Sequence, residues 1–320
     1  LAVVAATLGA FPLSAHAATV SMTASDTFGN SSFNSAGNWD SFAAPTAGND
    51  YSEAGWLLRT PGDAGDYTFA GDSLTIVGNI GDPTLMNRAL MWKGTGTTAI
   101  ITVNNLTLQD GGWLRHGQGT VDTFHLAGNS LTIGSGGANM ATQGGMIIDS
   151  PIAGSDSLTI ADSGSSEVGR MITFTSGAST FNGNVALATA RSRLTLADGS
   201  LFNFTIGSTG VNNAFTGTGV LNLNGTFKLD LSGAGTTVGD SWSLVDSSVV
   251  ATYGGTFSIQ DFTQDSILTN LWTSTSGTYQ YDTTTGVLSA VPEPNAFAML
   301  LGGGIGILLL RFRRSSRRNA

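Results

Sequence analysis

Phe69-Ala70-Gly71-Asp72-Ser73-Leu74-Thr75-Ile76 aligns without a gap on Leu126-Ala127-Gly128-Asn129-Ser130-Leu131-Thr132-Ile133. Ser157-Leu158-Thr159-Ile160 repeats the second half, with one extra residue in its turn, Ala153-Gly154-Ser155. Looser echoes occur at Leu106-Thr107-Leu108, Val185-Ala186-Leu187 and Leu221-Asn222-Leu223. The leading positions 74, 106, 131, 158, 185 and 221 recur every 29 residues or so. Each unit alternates apolar and polar residues, the period of a half-buried strand, and each is opened by Gly with Asp, Asn or Ser, which tolerate turn backbone. A unit this short cannot bury its own apolar face and has to stack on its neighbours.

The expected fold is therefore all-β, a parallel β-solenoid (β-helix) in which Leu and Ile stack inside and Thr and Ser face water. Leu74, Ile76, Leu131, Ile133, Leu158 and Ile160 are the predicted core, stacked in successive coils. The rival is an antiparallel β-sandwich or jelly roll, whose hairpins give similar spacing. No run recurs at 3.6 residues, so no amphipathic helix is expected in the body. In its Gly-Asn/Asp-Ser-Leu-Thr-Ile character the repeat resembles the autotransporter-associated β-strand repeats of bacterial surface proteins.

Repeats occupy residues 67–235. Residues 18–66 are rich in Asn, Ser and Gly around Phe28, Phe33, Trp39, Phe42, Tyr51 and Trp56, and read as an N-terminal β cap. Residues 236–290 read as a C-terminal β cap of short antiparallel strands, at Trp242–Val245, Thr256–Ile259, Gly277–Tyr281 and Gly286–Leu288. Open solenoid ends expose unpaired strand edges, so a different element should close each one.

Both ends of the chain read as addresses. Residues 1–17 form an apolar run closing on Ala15-His16-Ala17, a small-x-small site for signal peptidase with cleavage expected before Ala18. The usual basic n-region and initiator Met are missing, which points to a truncated or misassigned start. At the other end come Val291-Pro292-Glu293-Pro294, an apolar stretch Ala296–Leu310, and a cluster that includes Arg311, Arg313, Arg314, Arg317 and Arg318. Fifteen residues at ~1.5 Å each make a helix of ~22 Å, short for a ~30 Å hydrocarbon core, and the Arg cluster would stay cytoplasmic. Motif, short transmembrane helix and Arg cluster, in that order, resemble the PEP-CTERM sorting signal of Gram-negative bacteria. That resemblance implies recognition by exosortase with Pro292, Glu293 and Pro294 as sorting residues, transient anchoring in the inner membrane, and delivery to the cell envelope, outer surface or extracellular matrix. A plain C-terminal anchor shares the orientation and differs in staying in the membrane.

Composition narrows the chemistry. The chain has no cysteine, which removes disulfides, thiolate metal sites and a cysteine nucleophile together. Residues 18–290 hold 8 basic and 21 acidic groups, net −13, a charge that repels nucleic acid. After signal removal only His116 and His125 remain as histidines. A triad of Ser130, His125 and Asp122 can be drawn, but no Gly-x-Ser-x-Gly elbow accompanies it. A lyase would need Arg88, Lys93 or Arg115 beside Asp82, Asp110 or His116; a glycosidase would need Asp149 paired with Asp156 or Asp162. For Ca²⁺, the Asp156–Asp162 turn completes neither an RTX nonapeptide nor an EF-hand loop. The expected function is an exported, noncatalytic surface or matrix protein associated with exopolysaccharide, with no cofactor. Trp92 and Trp113 are the expected glycan contacts, on condition that their rings are exposed. The alternative is a secreted polysaccharide lyase or glycosidase on the same scaffold.

Overall fold

The computed structural model describes residues 18–79, 86–117, 122–161 and 170–292. Among them are 29 β-strands and no helix. Three parallel sheets run side by side along a solenoid of about seven turns. Sheet I stacks Ala18–Ser21, Asn49–Ser52, Ser73–Val77, Asn105–Gln109, Ser130–Ile133 and Ile152–Ala153. Sheet II has seven strands, from Leu57–Arg59 through Ala89–Trp92, Gly112–His116 and Ala138–Thr142 to Phe215–Gly217. Sheet III has eight, from Tyr67–Thr68 to Val250–Tyr253. The chain visits I, II and III in turn, then climbs one step. A three-stranded parallel sheet, Leu201–Thr205, Thr226–Asp230 and Ser258–Ile259, takes the place of sheet I in the last turns. The antiparallel sandwich is thereby excluded.

Alternation in the strands produces this coil. In Ser73–Val77, Leu74 and Ile76 are fully buried while Ser73, Thr75 and Val77 are half-buried. Register places Leu74 on Leu106 and Leu106 on Leu131, with Thr75, Thr107 and Thr132 aligned on the outer face. Parallel stacking lets each strand saturate its backbone bonds with the turns above and below, so few charges are needed outside. Two corners show why glycine is abundant. Gly128 (φ 153°) and Gly154 (φ 111°) lie against the turn beneath, where a Cβ would collide with the carbonyl oxygens of Val103 and Ile133 respectively.

All six predicted core residues are buried, yet they do not form one stack. Leu74 and Leu131 belong to sheet I, whereas Leu158 and Ile160 pair with Val185 and Leu187 in sheet II. Leu221 lies in sheet III on Leu194. The same two-residue alternation recurs on every face, so sequence spacing mixes the three sheets. Parallel strands also extend beyond residues 67–235, beginning in the segment read as the N-terminal cap and ending at Ile259. Ser258–Ile259, expected to be antiparallel, is the last parallel rung.

Each end is closed by aromatics. At the start, Trp39 packs on Tyr51 and Phe33 on Phe69, with ring centroids 5.0 and 5.3 Å apart. At the finish, an antiparallel sheet runs in the order Ser241–Ser243, Val287–Ala290, Tyr279–Asp282, Leu271–Ser274, Phe262–Gln264. Its Tyr281 and Trp272 meet Phe227 and Phe257 of the coil.

Candidate functional site

Leu58, Leu90 and Leu114 point into the coil from successive strands of sheet II, so the residues that follow them point out. Those residues are Arg59, Met91 and Arg115, which are direct register partners. Adjacent strands are ~4.8 Å apart, which sets the two Arg backbones ~10 Å from one another. Lys93, two residues beyond Met91, shares the outer side, and Arg88 precedes the same strand. Half of the body's eight basic residues thus gather on the first turns of one sheet in a chain that is acidic elsewhere.

Their partners are backbone carbonyls. Arg88 Nη1 donates to Gly78 O at 3.0 Å, Arg115 Nη1 to Met86 O at 2.5 Å, and the Lys93 ammonium to Gly117 O. None of the four forms an ion pair with a carboxylate among the described residues. Arg59 differs from the others: its guanidinium makes no hydrogen bond there and lies 5.7 Å from the centroid of the Phe28 ring. Burial lowers the Lys93 pKa, and the like charges of Arg59 and Arg115 lower it further. Burial also lowers that of Arg115.

A cleft of about 280 Å³ opens at this point, between the Phe28–Ser31 loop, Arg59–Gly62 and Lys93. Asp26 fixes its wall. Nearly fully buried, its carboxylate accepts Ser32 N and Arg59 N, both at 2.9 Å, together with the Ser32 hydroxyl and Asn38 Nδ2. Ser31 Oγ adds a bond to Arg59 O at 2.7 Å. The loop is tied at both ends to the strand that carries Arg59, and Phe28 is left 90% exposed at its tip.

The residues nominated from sequence are distributed differently. Trp92 and Trp113 are 1% and 5% exposed, so neither presents a face to a glycan. Trp92 stacks inside the coil on Phe124 at 5.2 Å and on His116 at 4.7 Å. Trp113 lies in a small second apolar cluster on the outside of sheet II, packed with Ala89 and Ala141 and flanked by Met86. His116 is a core residue: its Nε2–H donates to Asp122 O at 3.1 Å, while Nδ1 is buried without a partner among the described residues. Burial pushes its pKa down to about 4.

The drawn triad does not assemble. His125 Nδ1 contacts Asp149 Oδ2 at 2.7 Å, and Thr175 Oγ1 donates to Asp149 Oδ1, also at 2.7 Å. A carboxylate sits between the imidazole and the hydroxyl, whereas nucleophilic catalysis needs the imidazole in the middle. Ser130 bonds Asn105 instead. Asp149 precedes and Asp156 follows the sheet I strand Ile152–Ala153, and Asp149 is engaged by His125 and Thr175. Asp110 occupies the turn between sheets I and II, away from Lys93. Glu53 is buried at the end of the second strand of sheet I, accepts Trp56 N at 2.8 Å, and burial pushes its pKa up to about 7.

Among the described residues no three His, Asp or Glu side chains converge as a metal site, and no helix is long and apolar enough to cross a membrane. Asp82, Asp162, Ala15, Ala17, Glu293, Pro294, the 296–310 segment and the Arg cluster, including Arg311, Arg313 and Arg314, lie outside the described residues. Ala18 opens the first strand of sheet I and is exposed; Pro292 follows the last strand and is half-buried. Arg59 was not singled out from sequence. A signal was there: it precedes Arg115 by two repeat lengths, the spacing that stacks residues in a coil. No known family, curated protein or solved structure matches the chain.

Proposed function

We propose that this is an exported, noncatalytic protein of the cell surface or extracellular matrix, processed by exosortase and associated with exopolysaccharide. The observation that carries the reading is the order of Val291-Pro292-Glu293-Pro294, Ala296–Leu310 and the Arg cluster from Arg311. The apolar run at residues 1–17, ending at Ala15-His16-Ala17, supports export from the other end. A charge-poor, Gly- and Thr-rich solenoid suits a scaffold role, because it displays a long polar surface without requiring a cofactor.

Mass spectrometry of the protein from its native host tests this directly. Mature protein should begin at or near Ala18 and lack Arg311–Arg318. An intact Arg tail recovered from the extracellular fraction would sink the sorting reading. Recovery of the tail only in membranes would favour a plain anchor.

A further inference from the structure

We infer that the cleft between the Phe28 loop and Arg59–Lys93 binds one carboxylated sugar unit of an acidic polysaccharide. The inference takes its ligand source, an extracellular polysaccharide, from the proposed function, while the cleft itself is independent of export.

Charge is the first argument. Arg115 and Arg88 spend guanidinium donors on backbone carbonyls and act as structural struts. Arg59 does not: its planar fork of five N–H donors has only a ring beneath it among the described residues. Lys93 lines the same cleft, bonded to one carbonyl and carrying further ammonium protons. A carboxylate placed between them would offset the burial and the like charges that lower the Lys93 pKa, and would take charge-assisted bonds from both.

Shape is the second argument. Phe28 is held at the rim by the Asp26 network with its ring almost fully exposed beside the cleft. A sugar ring presents axial C–H groups that pack on such a face, while Asn30 and Thr60 line the same wall. At about 280 Å³ the cleft falls just below the usual range of ligand pockets (~300–1,000 Å³), room for one sugar unit with the rest of the polymer running outside.

The acidic surround sets the specificity. At physiological salt the Debye length is ~8 Å, so a ligand in the cleft feels Arg59 and Lys93 more than carboxylates farther off, while the Asp26 carboxylate in the wall is already taken up by four donors. A polyanion needing a continuous basic stripe, such as nucleic acid, would be repelled by the rest of a body carrying −13. A short oligomer or a chain end can place one carboxylate in the cleft while its remaining charges stay in solvent.

The test is titration calorimetry of the purified full-length chain with trigalacturonate, its carboxyl-reduced neutral trimer, and sodium sulfate. Arg59→Gln and Lys93→Gln should each weaken trigalacturonate binding roughly tenfold or more, the loss expected for one charge-assisted contact. Phe28→Ala should also weaken it, and Arg59→Lys should recover part of the Arg59→Gln loss. Lys228→Gln, the same charge change on a strand of another sheet, should alter it less than about twofold. Equal binding of the neutral trimer, equal loss in Lys228→Gln, sulfate binding as tight as the trimer, or no binding at all would each overturn the inference. Failure here with correct tail processing would leave the export reading in place, and the reverse outcome would leave the cleft.

Discussion

Replacing His116 with Phe should make stability rise with acid between pH 7 and 4.5, where the wild type is nearly flat. In the fold this imidazole packs against both Trp92 and Phe124, and its ring's one hydrogen bond among the described residues is Nε2–H to the Asp122 carbonyl. Burial penalises the charged ring, so the folded state holds it neutral down to about pH 4, against 6.5 for an unfolded His. Between those values the unfolded chain takes up a proton that the native state refuses, and stability falls as pH falls. A gap of ~2.5 pH units at ~1.36 kcal/mol each is about 3 kcal/mol. Glu53 works the other way. Its native pKa of about 7 lies above the unfolded 4.5, so stability falls as pH rises through that window, by a similar amount. The two slopes nearly cancel between pH 4.5 and 6.5 in the wild type. His116→Phe keeps the stack and removes one slope, so the variant should lose stability steadily from pH 4.5 to 7. Urea unfolding followed by tryptophan fluorescence at several pH values would measure this. The difference between variant and wild type should move by about 3 kcal/mol from pH 7 to pH 4, in favour of the variant at low pH. Parallel curves, offset only by the lost Asp122 bond, would refute the claim that burial keeps His116 neutral.

Two further outcomes concern the coil. Leu131→Ala empties a site packed between Leu106 and Ile152 and should cost about 2–5 kcal/mol in the same urea assay, with hydrogen exchange rising first in the neighbouring turns. Gly154→Ala puts a side chain at φ 111° against the Ile133 carbonyl; backbone strain alone should cost about 1–3 kcal/mol, seen as a lower melting temperature.

Much of the fold was legible because alternation and Gly-led turns are local signals. Ser-Leu-Thr-Ile announces a strand wherever it stands, and the coil needs nothing more to bury Leu and Ile. The sheet to which a strand belongs depends on summed turn lengths, which vary from coil to coil, and this is why Leu158 left the Leu74 stack. The site was harder to read for a different reason. Trp92 and Trp113 are separated by a gap much like any other, yet one fills the coil and the other sits under an outer cluster. On a strand with both faces covered, such as Ala89–Trp92, alternation carries no information about exposure. Arg59 passed unnoticed because its meaning lies in register with Met91 and Arg115 and in a loop some thirty residues upstream.

The place of Val287–Ala290 inside the closing sheet has a mechanical consequence. This strand leads directly to Val291, and it is flanked on both sides, by Ser241–Ser243 and by Tyr279–Asp282, with both neighbours antiparallel. Tension entering through the tail would load that strand along its length, so the bonds to both neighbours must shear together instead of unzipping one at a time. Force is then passed into the Trp242 and Tyr281 packing at the end of the coil. A body tethered at this end and pulled by flow or by a crowded polymer would meet that load with two strand pairings at its point of attachment.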